Sequence, residues 1–206
     1  MKTKKRRRGV LLFSGGIDST LAALILHAQD VEIIALTINY PGRPQGEISA
    51  TKALEKELPF LMSVNVSLDM GGPLTKFPLG QSVDQGWIPY RNLLFWGIAA
   101  HKAVMVDAKF VAAGHDDDDG VTFSDASQGF FSGLGELLKL TGRARGKQAV
   151  EIELPIYTAS LEYLQEVSAQ HPRIMEITWS CWLDQAHPCL SCYACKEREK
   201  FVHGLY

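Results

Sequence analysis

Two groups of side chains in this sequence have types and spacings that can do chemistry. The first is Ser14-Gly15-Gly16-Ile17-Asp18-Ser19-Thr20. It follows the short β-prone run Gly9 to Phe13 and opens a helix-like stretch, Ile17 to Ala28. Gly15 and Gly16 can take positive φ and let the backbone approach a ligand closely. The N–H groups of the loop and of the first helical turn lack partners. Together with the helix dipole they form an anion site. Ser14, Ser19 and Thr20 add hydroxyl donors. Asp18 is the odd member, because a carboxylate repels phosphates unless a cation intervenes. It is expected to help hold Mg²⁺, directly or through water. The loop lacks the Gly-Lys-Ser/Thr of a Walker A motif and the Gly-x-Gly-x-x-Gly dinucleotide fingerprint.

The second group is Cys181, Cys189, Cys192 and Cys195, and the first 180 residues contain no cysteine. Such clustering argues for metal rather than disulfides in a chain read as cytoplasmic. Four thiolates complete a tetrahedral Zn²⁺ with no open position, which is a structural site. An iron–sulfur cluster uses the same ligand count and stays open as an alternative, as do free or redox thiols. Metal binding can fold a segment too short to build a core. His187 lies inside the cluster and is expected at the surface.

The elements that must position these groups alternate. Strands are expected at Gly9 to Phe13, Val31 to Ile38, Phe60 to Val66, Lys109 to Ala113 and Val150 to Leu154. Helices are expected at Ile17 to Ala28, Glu47 to Leu58, Asn92 to Val106, Ala126 to Leu140 and Leu161 to Ala169. The helix from Asn92 is apolar nearly all round and is expected to be buried. The stretches Asp69 to Trp87 and Thr141 to Lys147 read as loops, the latter basic. Alternation predicts an α/β fold, a doubly wound parallel sheet with right-handed crossovers. Ligands in such sheets bind outside the carboxyl ends of the strands. Three polar, glycine-bearing loops leave that way, Ser14 to Thr20, Asn39 to Gly46 and Gly114 to Asp125, so they are expected to share one cleft.

The chain has 206 residues and a formal net charge of −2, which disfavours nucleic acid as a partner of the whole molecule. The basic run Lys2, Lys4, Lys5, Arg6, Arg7 and Arg8 leaves that possibility open. No apolar run is long enough to cross a bilayer. Val10 to Phe13 is too short for the core of a secretory signal. The expectation is a cytoplasmic protein in three parts: a basic, flexible terminus over 1–8, a nucleotide-binding domain over 9–178, and a small metal-binding tail over 179–206 packed on that domain.

The loop resembles that of the N-type ATP pyrophosphatases, the PP-loop superfamily, whose pattern is Ser-Gly-Gly-x-Asp-Ser. With the cysteine tail, the chain from about Val10 to Phe201 is similar to the 7-cyano-7-deazaguanine (preQ0) synthase family. Leu12 to Thr20, Ile88-Pro89-Tyr90-Arg91-Asn92-Leu93-Leu94-Phe95, Trp179-Ser180-Cys181 and the last three cysteines with Arg198 carry the likeness. Asn39-Tyr40 with Arg43 and Glu47 falls where that family has Tyr-Gly-Gln-Arg-His ahead of a Glu. The resemblance implies a PP-loop, adenine-nucleotide-α-hydrolase-like fold. It implies that 7-carboxy-7-deazaguanine is adenylated, attacked by ammonia to an amide, and adenylated again to leave the nitrile, with AMP and pyrophosphate released. ATP, Mg²⁺ and one structural Zn²⁺ per chain are the implied cofactors, and a homodimer the implied assembly. Nucleotide contacts fall to Phe13 through Thr20, Tyr40 and Gly114, and catalytic roles to Ser14, Asp18 and Arg91. Substrate contacts fall to Arg43, Arg91, Asn92, Asp119 and Asp125. Carboxylates suit a guanine-like edge, since they accept from N1–H and the 2-amino group together.

The chain also departs from that family. Thr122-Phe123-Ser124-Asp125-Ala126-Ser127 keeps the aspartate of a Tyr-Pro-Asp-Cys-Arg segment and lacks its cysteine and arginine. Thr158-Ala159-Ser160 lacks a lysine, and Pro41-Gly42-Arg43-Pro44 replaces Gly-Gln-Arg-His. Such changes suit a relative adenylating another carboxylate, such as a protein C-terminus or a modified base. A tRNA-modifying PP-loop enzyme and a non-catalytic nucleotide-sensing module are further readings. There is no glutaminase domain in the sequence, so ammonia is expected to arrive free or from a partner.

Overall fold

The computed structural model describes residues 6–68, 88–142 and 149–202. The loop expected at Asp69 to Trp87, most of the basic loop at Thr141 to Lys147, and Lys2, Lys4 and Lys5 lie outside them. Five strands form one parallel sheet: β1 Arg8–Leu12, β2 Glu32–Asn39, β3 Met62–Ser67, β4 Phe110–Ala113 and β5 Glu151–Glu153, in the order β3-β2-β1-β4-β5. The register sets Val10 beside Ile34 on one flank and beside Val111 on the other.

Alternation along the strands divides the core into two layers. Leu11, Ile33, Ala35, Phe110 and Ala112 face one side. There they meet α1 Ile17–Ala28, α2 Gln45–Glu57, α6 Leu161–Gln170 and α7 Pro172–Ile177, through Leu21, Leu54, Leu164 and Met175. Val10, Ile34, Leu36, Val111 and Ala113 face the other side. There they meet α3 Arg91–Met105 and α5 Gln128–Thr141, through Trp96, Ala99, Phe131 and Leu134. Both faces of the central strands are covered, which is why those strands read as continuous apolar runs.

The expectation that α3 is buried all round is corrected. Trp96, Ala99, Ala100 and Ala103 pack inward, while Leu93, Leu94, Val104 and Met105 are exposed. A helix lying on one face of a sheet keeps an outer side, whatever its composition. Three short helices escape the periodicity reading, each only six or seven residues long: α4 Asp117–Thr122 inside an expected loop, α7, and α8 Tyr193–Glu199 in the cysteine segment. The basic run is tied down where it is described. Arg6 pairs with Asp30, Arg7 with Glu153, and Arg8, already in β1, with Glu32. Among the described residues no helix is long and apolar enough to cross a membrane.

From β1 the chain steps outward to β2 and β3, then returns to β4 on the other side of β1. The carboxyl ends of β1 and β4 therefore flank a topological switch point, where open parallel sheets bind ligands.

Candidate active site

The phosphate-type loop leaves β1 at this switch point. Phe13 still belongs to the sheet: its N–H donates to Leu36 O at 2.9 Å, its carbonyl accepts from Thr37 Oγ1 at 3.0 Å, and its ring packs edge-on against Phe60. The chain then turns at Gly15, with φ at 82°. A Cβ there would lie 2.5 Å from Thr51 Oγ1, so only glycine fits between this turn and α2. Gly16 is the N-cap of α1 and makes no side-chain cap, which leaves the first turn of that helix uncapped toward the cleft. Ser14 Oγ accepts the Gly16 N–H at 3.1 Å, and Ser19 Oγ donates to Gly16 O at 3.1 Å.

Three of the expected contacts are spent on the loop itself. Thr20 is fully buried and its Oγ1 donates to Gly16 O at 2.8 Å. Neither it nor Gly15 lines the cleft, and both serve the turn. Arg43 borders the cleft but is only 4% exposed, and its guanidinium is spent on the underside of the loop. It donates to Ser14 O at 2.6 Å, Asn39 Oδ1 at 2.7 Å, Thr51 Oγ1 at 2.8 Å and Glu47 Oε1 at 3.0 Å. Burial raises the Glu47 carboxyl, against the opposing pull of Arg43 and Arg91. Arg91 hydrogen-bonds the Tyr40 side chain, whose hydroxyl burial also pushes up, and Tyr40 packs on Phe95 at 5.8 Å.

On the β4 side, Gly114 allows a close backbone approach. A Cβ there would sit 2.3 Å from the carbonyl carbon and oxygen of Asp18. The acidic run beyond it is structured rather than loose. Asp116 Oδ1 accepts from Asp119 N at 2.8 Å and caps α4. Asp119 Oδ2 lies 3.1 Å from His115 Nδ1, and Asp118 pairs with Lys200. Asn92 Nδ2 donates to Asp125 O at 3.0 Å and so anchors the 3₁₀ turn Ser124–Ala126 to α3. Burial, then the charges of Asp119 and Asp116, hold the Asp18 carboxyl well above the usual carboxylate range. Burial and Asp119 push Asp116 up to about 6. Carboxylates crowded in this way favour either a proton or a cation between them.

These parts enclose one cleft of about 300 Å³. Ser14, Gly16, Asp18 and Ser19 meet Tyr40, Arg91, Asn92, Gly114, Asp119 and Asp125 there, so the three strand-end loops share it. Phe95 and His115 also line it. So do Trp179, Ser180, Trp182, Tyr193 and Glu197 of the cysteine segment, none of which the sequence singled out as a site residue. That segment carried the signature of a metal staple, and nothing in its spacing says which surface it docks on.

The four cysteine sulfurs lie within 4.8 Å of one another, and Cys189 Sγ is 3.9 Å from Cys195 Sγ. Thiolates about 2.3 Å from a tetrahedral ion stand about 3.8 Å apart, so the donor set fits Zn²⁺. Burial raises the Cys181 thiol and opposes ionisation at Cys189, where N–H and hydroxyl donors from Ser191 and Cys192 prevail and bring it down to about 6. Cys192 N–H donates to Cys189 Sγ and Cys189 N–H to Cys181 Sγ. Trp179, Trp182, Leu183 and Ala194 pack against the cluster. His187 is exposed and outside it. The cluster is tied to the sheet domain by Arg198, buried at 2% exposure, which donates to Met175 O at 2.7 Å and to Thr178 Oγ1.

The family model described as queuosine biosynthesis protein QueC matches residues 8–204. A 7-cyano-7-deazaguanine synthase of Methanosphaera stadtmanae is 28% identical over 94% of this chain and 92% of its own length. The protein of that name from Sulfurimonas denitrificans is 25% identical over 94% of this chain and 92% of its own length. Among solved structures, the U34-tRNA thiolase NcsA of Methanococcus maripaludis, with its 4Fe-4S cluster, superposes with a TM-score of 0.55 at 17% identity, covering 96% of this chain and 64% of that one. A 4-thiouridine synthetase in complex with RNA and ATP superposes with a TM-score of 0.54 at 18% identity, over 97% of this chain and 51% of that one. These two likenesses establish the fold alone.

Proposed function

The chain belongs to the queuosine biosynthesis protein QueC family, and on that premise we propose that it converts 7-carboxy-7-deazaguanine and ammonia to 7-cyano-7-deazaguanine at the expense of ATP. The observation that carries this reading is the uncapped N-terminus of α1 at the switch point, opened by Gly16 and flanked by Asp18 and Gly114. The names of the relatives supply the product, 7-cyano-7-deazaguanine.

In this reading a carboxylate oxygen of the acid attacks the α-phosphorus of ATP, and the bond to the bridging oxygen breaks. The N–H groups of the loop and of the first turn of α1 receive the leaving pyrophosphate. Ammonia then adds to the acyl carbon and expels AMP, giving the amide. The amide oxygen attacks a second ATP in the same way. Loss of AMP and of the nitrogen-bound protons leaves the nitrile. Asp18 would hold Mg²⁺, with Asp116 and Asp119 behind it, and that ion would neutralise phosphate charge as it develops. Arg91 would offer a second positive charge from the β2 side. Asp119 and Asp125 would accept from the guanine-like edge. Arg43 supports the loop rather than touching substrate. The four cysteines would hold Zn²⁺ as a structural ion, leaving it no coordination site for chemistry.

The test is incubation with ATP, ammonium and 7-carboxy-7-deazaguanine. AMP, pyrophosphate and the nitrile are expected. ADP in place of AMP would reject the mechanism, and AMP formed only with another carboxylate would reject the substrate.

A further inference from the structure

The cysteine segment does more than close the fold, because its first residues touch the phosphate loop. Trp179 N–H donates to Gly15 O at 3.0 Å. Its indole N–H donates to Cys181 O at 2.9 Å, and its ring fills the space that a Cβ on Gly46 would occupy, 2.2 Å away. Its carbonyl lies 3.5 Å from where a Cβ on Gly16 would stand. Trp179 is thus wedged between α2 and the loop. It draws the Gly15 carbonyl away from the cleft, as Arg43 does for Ser14 on the opposite side. A phosphate needs donors, so carbonyls held aside leave the N–H groups facing it.

The next residue is Ser180. It lines the cleft beside the loop, and its Oγ is buried with no hydrogen-bond partner among the described residues. A buried hydroxyl without a partner is costly and calls for an explanation. We propose that Ser180 is a ligand-binding residue whose hydroxyl turns out of its buried, unpartnered position to donate to a phosphate oxygen of the bound nucleotide, which makes the cysteine segment part of the nucleotide site. The inference rests on the reading of Ser14 to Thr20 as a phosphate loop.

Ser180→Ala separates a functional role from a structural one. Removing a hydroxyl that has no protein partner leaves no orphaned group behind, so the melting temperature should stay level or rise. Binding of ATP and of inorganic pyrophosphate, measured by calorimetry on the zinc-loaded protein, should weaken about three- to tenfold, the worth of one hydrogen bond. Unchanged affinity for both ligands would overturn the inference while leaving the phosphate-loop reading intact. Failure of the unsubstituted protein to bind either ligand would overturn the phosphate-loop reading, and this inference with it. A fall in melting temperature with Ser180→Ala would assign the hydroxyl a structural role and also overturn the inference. Gly46→Ala supplies a second reading. It adds a Cβ that must displace the Trp179 ring while favouring helix α2, so weaker ATP binding at unchanged zinc content is expected. Unchanged ATP binding there would show that Trp179 does not position the loop.

Discussion

Gly114→Ala is the sharpest perturbation of the cleft. The added Cβ would stand 2.3 Å from the carbonyl carbon and oxygen of Asp18 and 2.5 Å from Ser19 N, all backbone atoms of the first turn of α1. No side chain can swing aside. Reaching an ordinary contact of about 3.4 Å requires β4 and the start of α1 to part by about 1 Å. Gly114 is not among the positive-φ glycines, so the cost is steric rather than conformational. Overpacking of this kind costs about 1–3 kcal/mol, against a stability of about 5–15 kcal/mol. The variant should therefore fold, melting about 2–12 °C lower for a chain of this size. The displaced groups are those that receive the pyrophosphate, and a misplacement of about 1 Å costs on the order of 10²-fold in rate. Thermal unfolding and AMP release at saturating and limiting ATP provide the assay. A folded variant with wild-type turnover and wild-type KM for ATP would refute the claim that the contact between Gly114 and α1 sets the loop.

Other expectations follow from the same geometry. Arg43→Lys should not preserve function, because one ammonium cannot reach Ser14 O, Asn39 and Glu47 as the guanidinium fork does. Denaturant unfolding should show a loss of up to about 3–5 kcal/mol, the cost of breaking a buried pair. Metal analysis should find about one zinc per chain, and Cys192→Ala should lose it and lower the melting temperature; an iron chromophore would overturn the assignment. Asp116 is raised to about 6 from an unfolded value near 3.8, so the folded state binds its proton more tightly. Its contribution is present below the unfolded value and is lost as pH rises through about 6. Asp116→Asn keeps a capping oxygen for Asp119 N, and should flatten the melting temperature between those pH values. An unchanged slope would remove Asp116 as its cause.

Strand and helix placement was legible because each apolar period has one physical reading here. The β-branched run of β2 belongs to a strand covered on both faces, and Leu21, Leu24 and Ile25 belong to one side of α1. Composition misled at α3, where an apolar helix keeps an exposed outer side. Local sequence also hid α4 and α8, six and seven residues long, because one or two turns carry too little periodicity to be seen.

The sequence by itself determined what depends on neighbours along the chain. It specified the glycine turn and uncapped helix of Ser14 to Thr20, and the four thiols from Cys181 to Cys195. These are local because backbone freedom and ligand spacing are local. Only the tertiary structure decided what depends on groups far apart in the chain. It turned Arg43 inward beneath Ser14 and placed Gly114 against Asp18. It also set Trp179 and Ser180 beside the loop, although they lie near the other end of the sequence. Those positions follow from which buried donors find acceptors when the sheet, its helices and the cysteine segment pack together, and no spacing in the sequence encodes that pairing.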